Sequence, residues 1–268
     1  MSAGSAHSPE QTVIQQTAPP IDVTDAVTDA PRYAHDAGVL PMLQSLARII
    51  TIALFILTFI VQPFRIPSAS MENTLLVGDF LLVNKQVYGP PGIWSHLLPY
   101  RNIQRGEIIV FYYPVDPSLH LVKRVVGLPG DRLHLVDGRV YVNGAALREP
   151  YAVYRTSSAD NYRDNFPQMD EADPAIETRW WIQMRSLVQD GELTVPPGDY
   201  FVMGDNRNDS QDSRYWGFVP RAAIEGEPLL VYLSLREPDT EEPLPNVPAI
   251  PESPLNKARW ERTLHVIR

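Results

Sequence analysis

Residues 107–126 read EIIVFYYPVDPSLHLVKRVV, two runs of β-branched and aromatic residues that are predicted as strands, Glu107–Tyr113 and His120–Val126. The same texture recurs outward along the chain. Asp79–Gln86 (DFLLVNKQ), Arg132–Val136, Arg139–Val142, Tyr200–Met203 and Leu229–Leu235 are predicted strands, with Asp137-Gly138 as a hairpin signal and Asn143-Gly144 marking the next turn. The expected fold class is mainly β, an antiparallel sheet domain over 65–236. Residues 149–195 break the pattern: they are polar, irregularly spaced and carry Trp180 and Trp181, and are expected to form an inserted subdomain.

Upstream, Ile49–Phe64 (IITIALFILTFIVQPF) runs sixteen residues without a charge, roughly 24 Å of helix. If Val39–Leu46 joins it and Arg48 snorkels, the span crosses a bilayer core, so 39–64 is expected to be one transmembrane anchor. A buried core helix would confine its apolar residues to a stripe, and these cover every face. A cleaved leader, suggested by the small residues Ser68-Ala69-Ser70, conflicts with the long acidic stretch before it. Arg48 and Arg65 flank the span almost symmetrically and leave its orientation open.

The ends differ from the middle. Residues 1–38 contain no Leu, Phe or Trp and are expected to be a disordered tail. After Leu235, EPDTEEPLPNVPAIPESP is acidic and proline-rich, as expected of an extended linker. The last twelve residues, KARWERTLHVIR, carry four Lys/Arg side chains among apolar ones, suiting either a lipid headgroup surface or a terminal element docked on the sheet. With a net charge of −9 and no other dense basic run, no nucleic-acid partner is expected. The absence of cysteine excludes thiolate metal sites, disulfides and cysteine nucleophiles.

Three segments hold candidate chemistry. In Pro67-Ser68-Ala69-Ser70-Met71, two serines two apart project to one side of an extended chain, so one hydroxyl can attack a carbonyl while the other stabilises the oxyanion. The plainer reading makes Ser70 a helix cap. Lys123 lies among Leu121, Val122, Val125 and Val126. An ordinary lysine is neutral in about 1 part in 2,500 at pH 7, and service as a base requires burial to lower its pKa by about 3 units. Valines on both faces of the strand leave its direction undecided, and an edge-strand surface lysine is the alternative. The third segment, Met203–Gly217, is dense in hydrogen-bonding residues that suit an ordered polar loop. It lacks the bidentate Glu of an EF-hand, and no metal or cofactor is expected.

Taken together, IPSASMENTLLVGDFLLVNK, RGEIIVFYYPVDPSLHLVKRVVGLPGD and GDNRNDSQDSRYWGFVP, in that order, resemble the bacterial type I signal peptidases, membrane-anchored Ser/Lys proteases. The resemblance implies Ser70 as nucleophile and Lys123 as base. It implies Ser68 and the Ser70 amide as oxyanion donors, and Ser210 as the lysine's hydrogen-bond partner. Asp205, Asp212 and Arg214 would brace the site, and Ile66, Pro67 and Val122 would wall the substrate pocket. The implied substrates are exported preproteins with Ala-x-Ala before the cut, bound as an added strand and cleaved on the outer side of the cytoplasmic membrane. Two positions depart from the family pattern: Asn73 stands where many members have proline, which is expected to loosen the turn, and Asn208-Asp209 replaces Asp-Asn. Two other functions compete. A Ser-His-Asp hydrolase would use Ser70 with His120 or His134, and a tethered β binding module would need no nucleophile.

Overall fold

The computed structural model describes residues 39–88, 101–155, 159–169, 174–236 and 257–267. The expected disordered tail and the Pro-rich stretch 237–256 lie outside these. The chain divides into two compact units, Met1–Ile49 and Ile50–Arg268.

Helix α1 runs Val39–Phe59. Within it Val39–Thr58 is apolar and long enough to cross a membrane, roughly 30 Å at 1.5 Å per residue, and none of that stretch is buried against protein. The expected anchor extended to Phe64, and the structure ends the helix earlier. Val61–Arg65 is instead strand β1, paired antiparallel with β2 (Asp79–Asn84) from Val61↔Asn84 to Arg65↔Phe80. Pro63 explains the stop, because proline disfavours helix in the residue before it and withdraws a donor from the helical ladder.

The remaining strands are β3 (Ile108–Tyr112), β4 (His120–Gly127), β5 (Arg132–Val136), β6 (Arg139–Val142), β7 (Ala145–Ala146), β8 (Val188–Gln189), β9 (Glu192–Thr194), β10 (Asp199–Met203), β11 (Val219–Pro220), β12 (Ile224–Ser234) and β13 (His265–Val266). They form two antiparallel sheets. The larger has the order β1-β2-β12-β3-β4-β10-β11, with β13 added to β12, and the smaller is β7-β6-β5-β9-β8. Long β12 shifts register between Ile224 and Gly226 and again further on, so that it serves β3 and then β2. Gly226 makes this crossing possible, since a Cβ there would lie 2.2 Å from the Asn84 carbonyl oxygen.

Strand β3 is buried on both faces. Ile109 and Phe111 enter a large core with Val125, Leu133, Trp180 and Phe201, while Ile108 and Val110 enter a second core with Ile66, Met71, Leu75 and Leu81. Neighbouring β4 shares this double burial, which is why period-two patterning could not say which way Lys123 points.

Residues 149–195, expected to stand apart from the regular sheet, supply helices α2 (Asn161–Asp164) and α3 (Thr178–Leu187) and strands β8 and β9. Strand β9 pairs with β5, and Tyr162, Phe166, Trp180 and Met184 join the large core. Asp190-Gly191, between β8 and β9, is the same hairpin signal as Asp137-Gly138.

The final segment docks on the sheet. Strand β13 pairs with β12, and Arg262 binds the buried Asp79 carboxylate through Nη2 at 2.5 Å and Nε at 3.2 Å while donating to the Thr74 carbonyl at 3.0 Å. Arg262→Ala leaves Asp79 buried without its cation and is expected to cost roughly 3 kcal/mol. Denaturant unfolding of the detergent-solubilised protein checks this; an unchanged midpoint contradicts it.

Candidate active site

The segment carrying Ser68 and Ser70, the candidate nucleophile, follows β1 and closes into a single 3-10 turn, Ala69–Met71. Met71 and Leu75 anchor it in the second core. Ser68 occupies the cap position without a side-chain capping bond, so neither serine is there to cap a helix. The two hydroxyl oxygens lie 3.4 Å apart. Across from them, Lys123 projects from β4, whose register sets it opposite Ile109 of β3. Its Nζ lies 2.5 Å from the Ser70 oxygen.

Lys123 is 3% exposed and Ser70 7%. Burial pushes the lysine pKa down to about 8, partly opposed by the Asp212 charge and helped by Arg214. At neutral pH an appreciable fraction of the amine is therefore unprotonated and able to accept the serine proton.

The loop after β10 is ordered by two buried ion pairs. Asp205 accepts from Arg124 Nε at 2.8 Å and Nη2 at 2.7 Å, and from the Thr74 hydroxyl at 2.5 Å. Asp212 caps the short helix α4 (Ser213–Trp216), binds the Arg214 guanidinium at two points, each 2.8 Å, and accepts from the Gly204 amide at 3.1 Å. Burial alone would raise the Asp212 pKa, but the Arg214 charge and hydrogen bonds outweigh it and hold the carboxyl below its usual range. Gly204 sits where nothing larger fits: a Cβ there would lie 2.3 Å from the Ser210 hydroxyl and 2.4 Å from the Ser70 carbonyl oxygen. The Asn206 amide donates to that same carbonyl at 3.1 Å.

The structure thus brings Ser68, Ser70 and Lys123 together and sets Asp205, Asp212 and Arg214 behind them. Ser210 is buried beside Gly204, and its hydroxyl makes no hydrogen bond among the described residues, to Lys123 or otherwise. Ile66, Pro67 and Val122 all border a small pocket of about 100 Å³ that opens onto Ser70 and Lys123. No group of His, Cys, Asp and Glu suited to a metal occurs among the described residues. The two histidines weighed above pair with carboxylates: His120, which borders the pocket, has Nε2 3.2 Å from Glu225, and His134 has Nδ1 3.1 Å from Glu192 on the smaller sheet. Neither hydrogen-bonds Ser70 among the described residues.

Sequence reasoning missed Arg124, Thr74, Arg207, Glu149 and Tyr151. Arg124 carried a usable signal, since a charge among valines needs a buried partner by the same argument as Lys123. Thr74 and Arg207 lie inside the quoted motifs without a pattern that assigns a role, and Glu149 and Tyr151 lie outside them.

A serine hydroxyl held by a buried lysine against an antiparallel sheet is an arrangement found in serine peptidases. The family model described as signal peptidase, peptidase S26, matches residues 39–233. Signal peptidase I of Pseudomonas fluorescens is 39% identical over 214 residues, covering 74% of this chain and 73% of the relative. Those of Pseudomonas aeruginosa and Aquifex aeolicus are 37% and 36% identical, covering 74% and 71% of this chain and 73% and 82% of theirs. The chain belongs to the signal peptidase family S26, serine endopeptidases that remove signal peptides.

The departure at Asn73 also finds its reason here. Asn73 has φ of 93° and its Nδ2 donates to the Tyr151 carbonyl at 3.1 Å. Proline cannot adopt that φ, so asparagine does not loosen this turn but suits its left-handed backbone. Asn73→Pro is expected to destabilise by more than about 1 kcal/mol, with Asn73→Gly much milder. Thermal unfolding of both variants checks the order, which is reversed if the turn prefers proline.

Proposed function

We propose that this signal peptidase works through a Ser70/Lys123 dyad. The carrying observation is the 2.5 Å approach of a fully buried Lys123 amine to the Ser70 hydroxyl. Neutral Lys123 takes the Ser70 proton as the oxygen attacks the scissile carbonyl, and the Ser68 hydroxyl and Ser70 amide receive the developing oxyanion. The protonated lysine returns its proton to the leaving amine as the peptide bond breaks. Water, deprotonated by Lys123, then attacks the acyl-enzyme and releases the signal peptide from Ser70. The resemblance assigns Ser210 to hydrogen-bond the lysine, but its hydroxyl makes no such bond here, so the Lys123 amine is oriented by its contact with Ser70.

The substrate lies extended at the mouth formed where β1 ends and β4 begins, with small side chains entering the pocket bordered by Ile66, Pro67 and Val122. Small side chains there are in keeping with the preproteins carrying Ala-x-Ala that the resemblance implies. Because such substrates are cut after export, the catalytic side, 65–236, is assigned to the outer face of the cytoplasmic membrane and the N-terminal tail to the inner face.

The test is cleavage of an Ala-x-Ala preprotein by the detergent-solubilised protein. Ser70→Ala and Lys123→Ala are expected to lose activity, and His120→Ala and His134→Ala to keep cutting. The wild-type rate is expected to rise with pH through about 8, as Lys123 sheds its proton. Normal cutting by Lys123→Ala, or a rate limb near 6.5, overturns the dyad.

A further inference from the structure

Residues 149–153 touch three parts of the site. The Tyr151 carbonyl holds the Asn73 side chain in the turn after the nucleophile. The Val153 amide donates to the Asp205 carbonyl at 2.8 Å, and its own carbonyl accepts from the Arg207 amide at 2.9 Å. Glu149 takes both terminal nitrogens of buried Arg207, at 2.8 and 2.5 Å. The Tyr151 ring lies against the Arg124 guanidinium, with the carbon 3.9 Å from the ring centroid.

Arg124 is the hub of the bracing. Besides its two bonds to Asp205, it donates to the Gly106 carbonyl at 2.6 Å and reaches the Thr74 hydroxyl at 3.3 Å. Only 4% of its side chain is exposed. An aromatic face over a guanidinium attracts it and keeps water from its broad side. Burial, with the Glu149 charge, pushes the Tyr151 phenol up to about 12, so the ring stays neutral through the working range.

We propose that Tyr151 is a positioning residue for the peptidase reaction, its ring covering Arg124 so that the Arg124–Asp205 pair stays dry and fixes Thr74 and Gly204 around Ser70. This rests on the Ser70/Lys123 reading above. Lys123 is faced by Asp205, Asp209, Asp212 and Arg214 from the loop after β10 and by the Ser70 hydroxyl from the nucleophile turn, and Arg65 and His120 border the same pocket; Arg124, next to it on β4, leaves the other face of the strand for Asp205. Removing the ring admits water to this cluster and weakens the burial that holds the amine low.

The test measures preprotein cleavage against pH for wild type, Tyr151→Phe, Tyr151→Leu and Lys123→Ala, with thermal unfolding of each. Tyr151→Phe is expected to match wild type. Folded Tyr151→Leu is expected to lose kcat roughly tenfold or more, since small misplacements of reacting groups are costly, with KM little changed and the rising limb shifted to higher pH. Should Tyr151→Leu fail to fold, Tyr151→Met carries the same expectation. A folded Leu or Met variant with wild-type kcat and limb overturns the inference, as does an equal loss in Tyr151→Phe, which would assign the effect to the hydroxyl. Normal activity of Lys123→Ala overturns the dyad itself and is read separately.

Discussion

An ammonium group is stable in water because water solvates it, and the Lys123 side chain is placed where water does not reach. That desolvation is the constraint around which the site is organised. It is what brings the pKa of this amine from an ordinary 10.5 down to about 8, where the proposed role as a base becomes available near neutrality. The polar groups that brace the site come as neutral sets. Asp212 is matched by Arg214 and Asp205 by Arg124, so the loop gains rigidity while these two pairs limit the negative charge that draws a proton back onto the lysine, leaving Asp209 to oppose the burial. An unpaired carboxylate at either position would oppose the effect that burial produces.

The fold converts this local chemistry into geometry. Strand β1 delivers Ser70 and β4 delivers Lys123, and the two belong to one sheet but not to adjacent strands. Their 2.5 Å contact therefore depends on what holds the nucleophile turn in place. Met71 and Leu75 hold it from within the second core, Arg262 grips its Thr74 carbonyl, and Asn206 binds the Ser70 carbonyl from the loop after β10. These contacts come from segments distant in sequence, which is how a short surface turn is given the rigidity of a core element. The same logic explains Gly204, where the loop backbone approaches the nucleophile too closely for any side chain.

Much of this was legible in the sequence. The strands appeared because β-branched runs and Asp-Gly or Asn-Gly turns are local signals, and Ser70 and Lys123 appeared because their motifs are contiguous. The end of the anchor was misjudged although Pro63 marked it, because a count of uncharged residues does not register a proline. The direction of Lys123 was illegible because both faces of β4 are buried. Residues 149–195 looked separate because their partners, Arg214 for Trp180 and Tyr162, and Arg207 for Glu149, lie far along the chain. Tyr151 was invisible for the same reason: its role is defined by Arg124 and Asn73, and nothing in its own neighbourhood announces either.

The claim that burial makes Lys123 a base is tested most directly by titrating that amine. Protein labelled with 13C at lysine Cε, with the Lys123 resonance assigned by its loss in Lys123→Ala, reports the protonation state without reference to catalysis. The account predicts a midpoint near 8, well below the 10.5 of an ordinary lysine amine. A midpoint near 10.5 would show a lysine that remains charged at neutral pH, and would contradict the central claim.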